Sequence, residues 1–147
     1  MASRASPRAV SRAHPIHGIL SAFPLAFFTG ALITDIIYAN SADMQWANFS
    51  AWQITFGLIG AVLSAIAGIV DGVMHRNRPR RDRAGSAAHN IVTIFALAFA
   101  LVNAFVHSRD AWTSVVPTGI VLSAITVVLI FVSSWLGFAL LARQEQL

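Results

Sequence analysis

Five histidines, at positions 14, 17, 75, 89 and 107, and two aspartates, at 35 and 71, fall in or beside long apolar stretches of this 147-residue chain. His14-x-x-His17 and Asp71-x-x-x-His75 have the spacings that put both members of a pair on one helix face, within reach of one ion or ring. Imidazoles with a carboxylate suit zinc, iron, copper or nickel, and two imidazoles suit the axial positions of a haem. Histidine also titrates near neutral pH, and carboxylates inside membranes are often functional, so proton handling is a third use. The plain alternative is that these histidines cap helices or face headgroups, with Asp71 paired to Arg76 or to a histidine on a neighbouring helix.

Asp35, His107 and Arg109 make a second candidate group. An Asp35–Arg109 or Asp35–His107 pair would relieve the cost of an isolated carboxylate near hydrocarbon, and a structural polar pair is the expected role. His89 and His107 share one helical face but lie ~27 Å apart along it at 1.5 Å per residue. His107 has no histidine partner on its own side, so two stacked haems are not expected.

These residues sit in a chain that is 56% hydrophobic and 11% charged, where a soluble domain carries about 25% charge. Four apolar stretches, 15–38, 52–74, 89–107 and 115–142, are each long enough to cross a hydrocarbon core of about 30 Å as a helix. The absence of cysteine excludes disulfides and thiolate metal or iron–sulfur sites. Arg4, Arg8, Arg12, Arg76, Arg78, Arg80, Arg81, Arg83 and Arg143 fall on one side of a four-span topology, leaving Arg109 alone on the other. The positive-inside rule makes that side cytoplasmic, with both termini inside. The basic run 76–83 then reads as a topology determinant against anionic headgroups, not as a nucleic-acid surface. The first apolar stretch is too long for a signal peptide and carries Asp35, so it is read as an uncleaved helix.

The predicted fold class is all-α, an integral membrane four-helix bundle. It has a basic cytoplasmic segment 1–14, one domain over 15–142 and a cytoplasmic tail 143–147. A wheel at 100° per residue separates polar or small faces from apolar ones. One face of the second helix carries Gly57, Gly60, Ser64, Gly68, Asp71 and His75, with Gly72 continuing the small-residue stripe. The third gathers His89, Thr93, Ala96, Ala100, Asn103, Ala104 and His107, and the fourth Gly119, Ser123, Thr126, Ser133, Ser134 and Gly137. The first puts His14, His17, Ser21, Phe28 and Asp35 together, and Pro24 is expected to kink it. Small stripes let helices approach closely in lipid. No internal repeat is visible, and Trp46, Trp52 and Trp112 fall near the expected outer surface.

His14-Pro15 followed by Phe23-Pro24 and Asp35, then Gly68 with Asp71, His89 and Arg109, resembles a bacterial family of four-helix integral membrane domains of unknown function. The resemblance covers residues 14–141. Members of that family also occur joined to Rieske or cytochrome modules, which implies a redox or haem role. It implies that His14, Asp35, Asp71, His89 and Arg109 are the family positions, with His17 and His75 added here. This chain has neither Rieske cysteines nor a Cys-x-x-Cys-His attachment, so it does not carry those modules itself.

Three functions follow as expectations. The first is a small inner-membrane electron-transfer protein holding haem b through two of His14, His17, His75 and His89, chiefly His14 or His17 with His89. The second is a non-catalytic accessory or assembly subunit of a larger membrane complex, or a homo-oligomer. The third is a metal-ion or proton-handling protein, with His14, His17, Asp71, His75 and His89 as ligands of one divalent ion. No Gly-x-Ser-x-Gly, phosphate-binding loop or His-Glu-x-x-His occurs, so an enzyme is not the expected reading.

Overall fold

Long runs of Leu, Ile, Val, Ala and Phe, interrupted by charge only at Asp35 and Asp71, favour helices whose backbone groups are satisfied internally, as a bilayer demands. The computed structural model describes residues 15–74, 80–109 and 111–145, and it contains four such helices. They are α1 (Pro15–Ser41), α2 (Met44–Met74), α3 (Arg80–His107) and α4 (Thr118–Glu145), with a short 3-10 turn, Ala111–Ser114, between the last two. All four are long and apolar enough to cross a membrane. Their large outward side chains, among them Ile59, Ile69, Ile94, Phe105 and Phe138, are exposed, an arrangement that only a lipid environment tolerates at this density.

The helices overrun the apolar stretches that mark them in the sequence. The expected connection at 39–51 shrinks to Ala42 and Asp43. Ala42 takes up a left-handed backbone (φ 55°) that closes α1, and the Asp43 carboxylate caps α2 by accepting the Gln45 N–H at 2.9 Å. At the arginine-rich end α3 begins at Arg80 instead of His89, because arginine is a good helix former once outside hydrocarbon. Helix α4 begins three residues later than the stretch from 115. The residue before Pro117 is disfavoured in helix, and Val115 and Val116 instead pack with Tyr38, Ala47 and Trp46.

Consecutive helices pair as two hairpins, α1 with α2 and α3 with α4, and α1–α4 and α2–α3 contacts close the ring. The α1–α2 seam is built on missing side chains. Phe28 lies against Gly57, and a Cβ added at Gly60 would meet the Phe23 Cβ at 2.9 Å and the Pro24 ring at 3.5 Å. Helix α1 runs unbroken through Pro24. Gly72 does not belong to this seam, since nothing approaches within 4 Å of where its Cβ would be. Between the two ends lies an apolar core of Phe28, Ala96, Ala100 and Ile130, flanked by Leu25, Leu58, Leu97, Val127 and Leu129.

The two hairpins share one burial pattern, although their sequences show no repeat. Moving 72 residues on from α1, the separation of Asp35 and His107, carries buried Pro24, Phe28, Ala31, Thr34 and Asp35 onto buried Ala96, Ala100, Asn103, Val106 and His107. Moving 69 residues on from α2, the separation of Ser64 and Ser133, carries buried Ser50, Ile54, Gly57, Ala61 and Ser64 onto buried Gly119, Ser123, Thr126, Ile130 and Ser133. The bundle is therefore two equivalent hairpins of like orientation, a parallel arrangement known from other membrane folds. Equivalence of position with divergence of residue is why it escapes a reading of the sequence.

The seam makes a direct prediction for unfolding in detergent. Gly60→Ala must displace the rigid Phe23 Cβ and should cost about 1–3 kcal/mol, the usual range for overpacking. Gly18→Ala and Gly72→Ala, which meet open space, should be neutral or stabilise by up to about 1 kcal/mol through helix propensity.

Candidate functional site

At the end remote from the arginine run, all four helices send a polar side chain to one point. Asp35 of α1 is 0% exposed, and its carboxylate is fully engaged. Oδ1 accepts from the Ser50 hydroxyl of α2 and from His107 Nε2 of α3 at 2.9 Å, while Oδ2 accepts from the Ser123 hydroxyl of α4 at 2.5 Å. His107 Nδ1 lies 3.0 Å from the Asn103 carbonyl, so both ring nitrogens face acceptors. The Ser50 hydroxyl also lies 3.2 Å from His107 Nε2, so Asp35, Ser50 and His107 form one hydrogen-bonded triangle. Donors from three helices offset the cost that a low-dielectric interior imposes on a carboxylate.

Local sequence explains how the node is reached. His107 is the last residue of α3, and its ring is slotted against Gly119 of α4. A Cβ at 119 would come within 2.8 Å of both His107 Cε1 and the Ser114 carbonyl oxygen, so this glycine is what admits the imidazole. Asn103, one turn before His107, donates its amide N–H to Ser123 at 2.8 Å and steadies the same cluster.

At the arginine-rich end two histidines are held in one manner by the two hairpins. His17 of α1 points Nδ1 at the Ser64 carbonyl of α2 at 3.0 Å, with the Ser64 hydroxyl at 3.4 Å and Gly68 beneath the ring. His89 of α3 points Nδ1 at the Ser133 carbonyl of α4 at 2.8 Å, with the Ser133 hydroxyl at 3.1 Å and Gly137 beneath the ring. For His89 the proton count fixes the tautomer. Thr93 donates to the His89 carbonyl at 2.8 Å, so at its 2.5 Å contact with Ser133 it must accept. Ser133 has then used its proton and can only accept from His89, which puts N–H at Nδ1. The carbonyl beside His17 Nδ1 gives the same answer there. Neither Nε2 has a hydrogen-bond partner among the described residues.

The residues singled out by sequence are thus divided between two places. Of the two partners expected for Asp35, the structure selects His107; Arg109 is exposed beyond the end of α3 and makes no ion pair with Asp35. His14 and His75 lie outside the described residues, and Asp71 is on α2 with its side chain likewise outside them. Among the described residues no three histidine or acidic side chains gather as a metal-ligating group. Sequence reasoning missed Ser50 as a member of the Asp35 node. It also placed Ser123 and Gly119 on the inward face without linking either to the carboxylate. The signal available for all three was burial of a small or hydroxyl residue opposite Asp35 in a neighbouring helix.

A family model described as "Predicted membrane protein (DUF2231)" matches residues 13–145. No curated protein and no solved structure matches the chain.

Removing one member of a buried pair strands the other, so Asp35→Ala should lower stability by about 3–5 kcal/mol and His107→Ala by a similar amount. The double variant should cost clearly less than the sum, measured as a double-mutant cycle by denaturant unfolding in detergent. Arg109→Ala should stay within about 0.5 kcal/mol of the parent.

Proposed function

The chain belongs to the DUF2231 family of membrane proteins, and on that premise we propose that it is a small redox protein of the bacterial inner membrane in which His17 and His89 hold haem b. The observation that supports this is the shared anchoring of the two imidazoles. A histidine that ligates a metal commonly donates its other ring N–H to a carbonyl or carboxylate, which fixes the ring and raises the basicity of the ligating nitrogen. Here both Nδ1 atoms face helix carbonyls, and neither Nε2 has a hydrogen-bond partner among the described residues. Two imidazoles of this kind would suit haem as ligands, and haem would supply one-electron chemistry when bound.

In this reading α2 and α4 act as the orienting elements. The Ser64 and Ser133 carbonyls hold the rings against rotation, and Gly68 and Gly137 leave room for them beside the neighbouring backbone. Electron partners are then other redox subunits of the membrane. A single divalent ion, drawing also on His14, Asp71 and His75, is the competing occupant of the same end. A second reading, proton handling, draws support from Asp35, a fully buried carboxylate within a membrane span.

Protein purified in detergent from haem-sufficient cells should show a Soret band that shifts on reduction. His17→Ala and His89→Ala should each lower haem occupancy by more than the ~10–100-fold that loss of a ligand's supporting hydrogen bond costs. His107→Ala should leave the band in place. A colourless parent preparation with no haem by mass spectrometry refutes the haem reading, and stoichiometric zinc or iron in that preparation favours the ion.

A further inference from the structure

The outer node continues inward into a group that the Asp35–His107 pair does not need. Asn103 and Thr126 are 2% and 1% exposed, and Asn103 Oδ1 and Thr126 Oγ1 are buried without a hydrogen-bond partner among the described residues. The orientation of the Asn103 amide is fixed by proton count. Ser123 has one proton, given to Asp35 Oδ2, so its oxygen can only accept and must face the Asn103 N–H group at 2.8 Å. The carbonyl Oδ1 is thereby left wanting a donor. Thr126, on the same face of α4 one turn from Ser123, does not bond back to its own helix as Thr29, Thr34, Thr55 and Thr93 do.

The hairpin equivalence shows that packing does not call for these groups. In the first hairpin the positions of Asn103, Ser123 and Thr126 are held by Ala31, Ile54 and Gly57, all buried and all apolar.

We infer that one buried water molecule binds between Thr126 Oγ1 and Asn103 Oδ1 and extends the Asp35–His107 network one turn deeper into the bundle. Thr126 donates to this water, and the water donates to Asn103 Oδ1, so each orphan receives what it lacks. Two polar partners meet the minimum for an ordered internal water, whose volume is about 30 Å³. The site is independent of the inner histidines and of any cofactor there.

The near-isosteric variant Thr126→Val separates the outcomes by sign. If the hydroxyl helps hold a water, Tm in detergent should fall by about 2–4 °C, and an O–H stretching band sensitive to H₂¹⁸O exchange should disappear from the infrared spectrum. Thr126→Ser should keep the band and serves if the valine variant does not fold. A Tm that rises or stays level in Thr126→Val, or a parent protein without the exchange-sensitive band, overturns the proposal. So does a Tm that depends on sodium when choline replaces it at constant ionic strength, since that identifies a cation bound by these oxygens.

Discussion

A carboxylate in the interior of a membrane bundle must be surrounded by donors or not be charged at all, and this requirement governs the fold. Asp35 meets it with one donor from each of the other three helices, Ser50, His107 and Ser123. Sliding any helix along its axis by one residue would remove a donor from reach, so the node fixes the mutual register of the bundle. The requirement propagates outward. His107 has to lie at the end of α3, and Gly119 has to lack a side chain both to admit its ring and to clear the Ser114 carbonyl oxygen, which lies 2.8 Å from where a Cβ would sit. Apolar packing in lipid has little directional preference, so a polar node of this kind supplies specificity that hydrophobic contacts do not.

Much of this could be read from the residues alone. The four spans followed from apolar length, and the small residues of α2 marked the face that meets α1. Asp35 had two candidate partners within reach, His107 and Arg109, and sequence could not choose because both lie at the end of the third helix. Geometry chose the histidine, since its ring reaches inward through the Gly119 gap while Arg109 sits beyond the helix. Gly72 looked like one more step in a small-residue stripe, but the seam has already ended there. Helix limits were harder, because Asp43 as a cap and the arginines as helix formers act outside the hydrophobic pattern. Ser50 and Ser123 are ordinary hydroxyl residues until a carboxylate is found opposite them.

The likeness of the two hairpins gives meaning to their differences. At equivalent positions stand an aspartate and a histidine, 18 residues after His17 and His89 respectively, and these two bond to each other across the bundle. At the other end the equivalent residues stay alike: histidine, serine and glycine recur in both hairpins with the same contacts. One end has diverged into a complementary pair, and the other has kept two identical claws.

Between these ends stands the layer of Phe28, Ala96, Ala100 and Ile130, without a polar side chain among them. An electric field across a membrane concentrates where polarisability is lowest, so this layer takes a large part of the transmembrane voltage. Charge rearranging within either polar end crosses little of that drop. Charge passing from one end to the other crosses nearly all of it, at ~2.3 kcal/mol per elementary charge for each 100 mV. The bundle is in that sense a capacitor, with an apolar dielectric set between two polar ends.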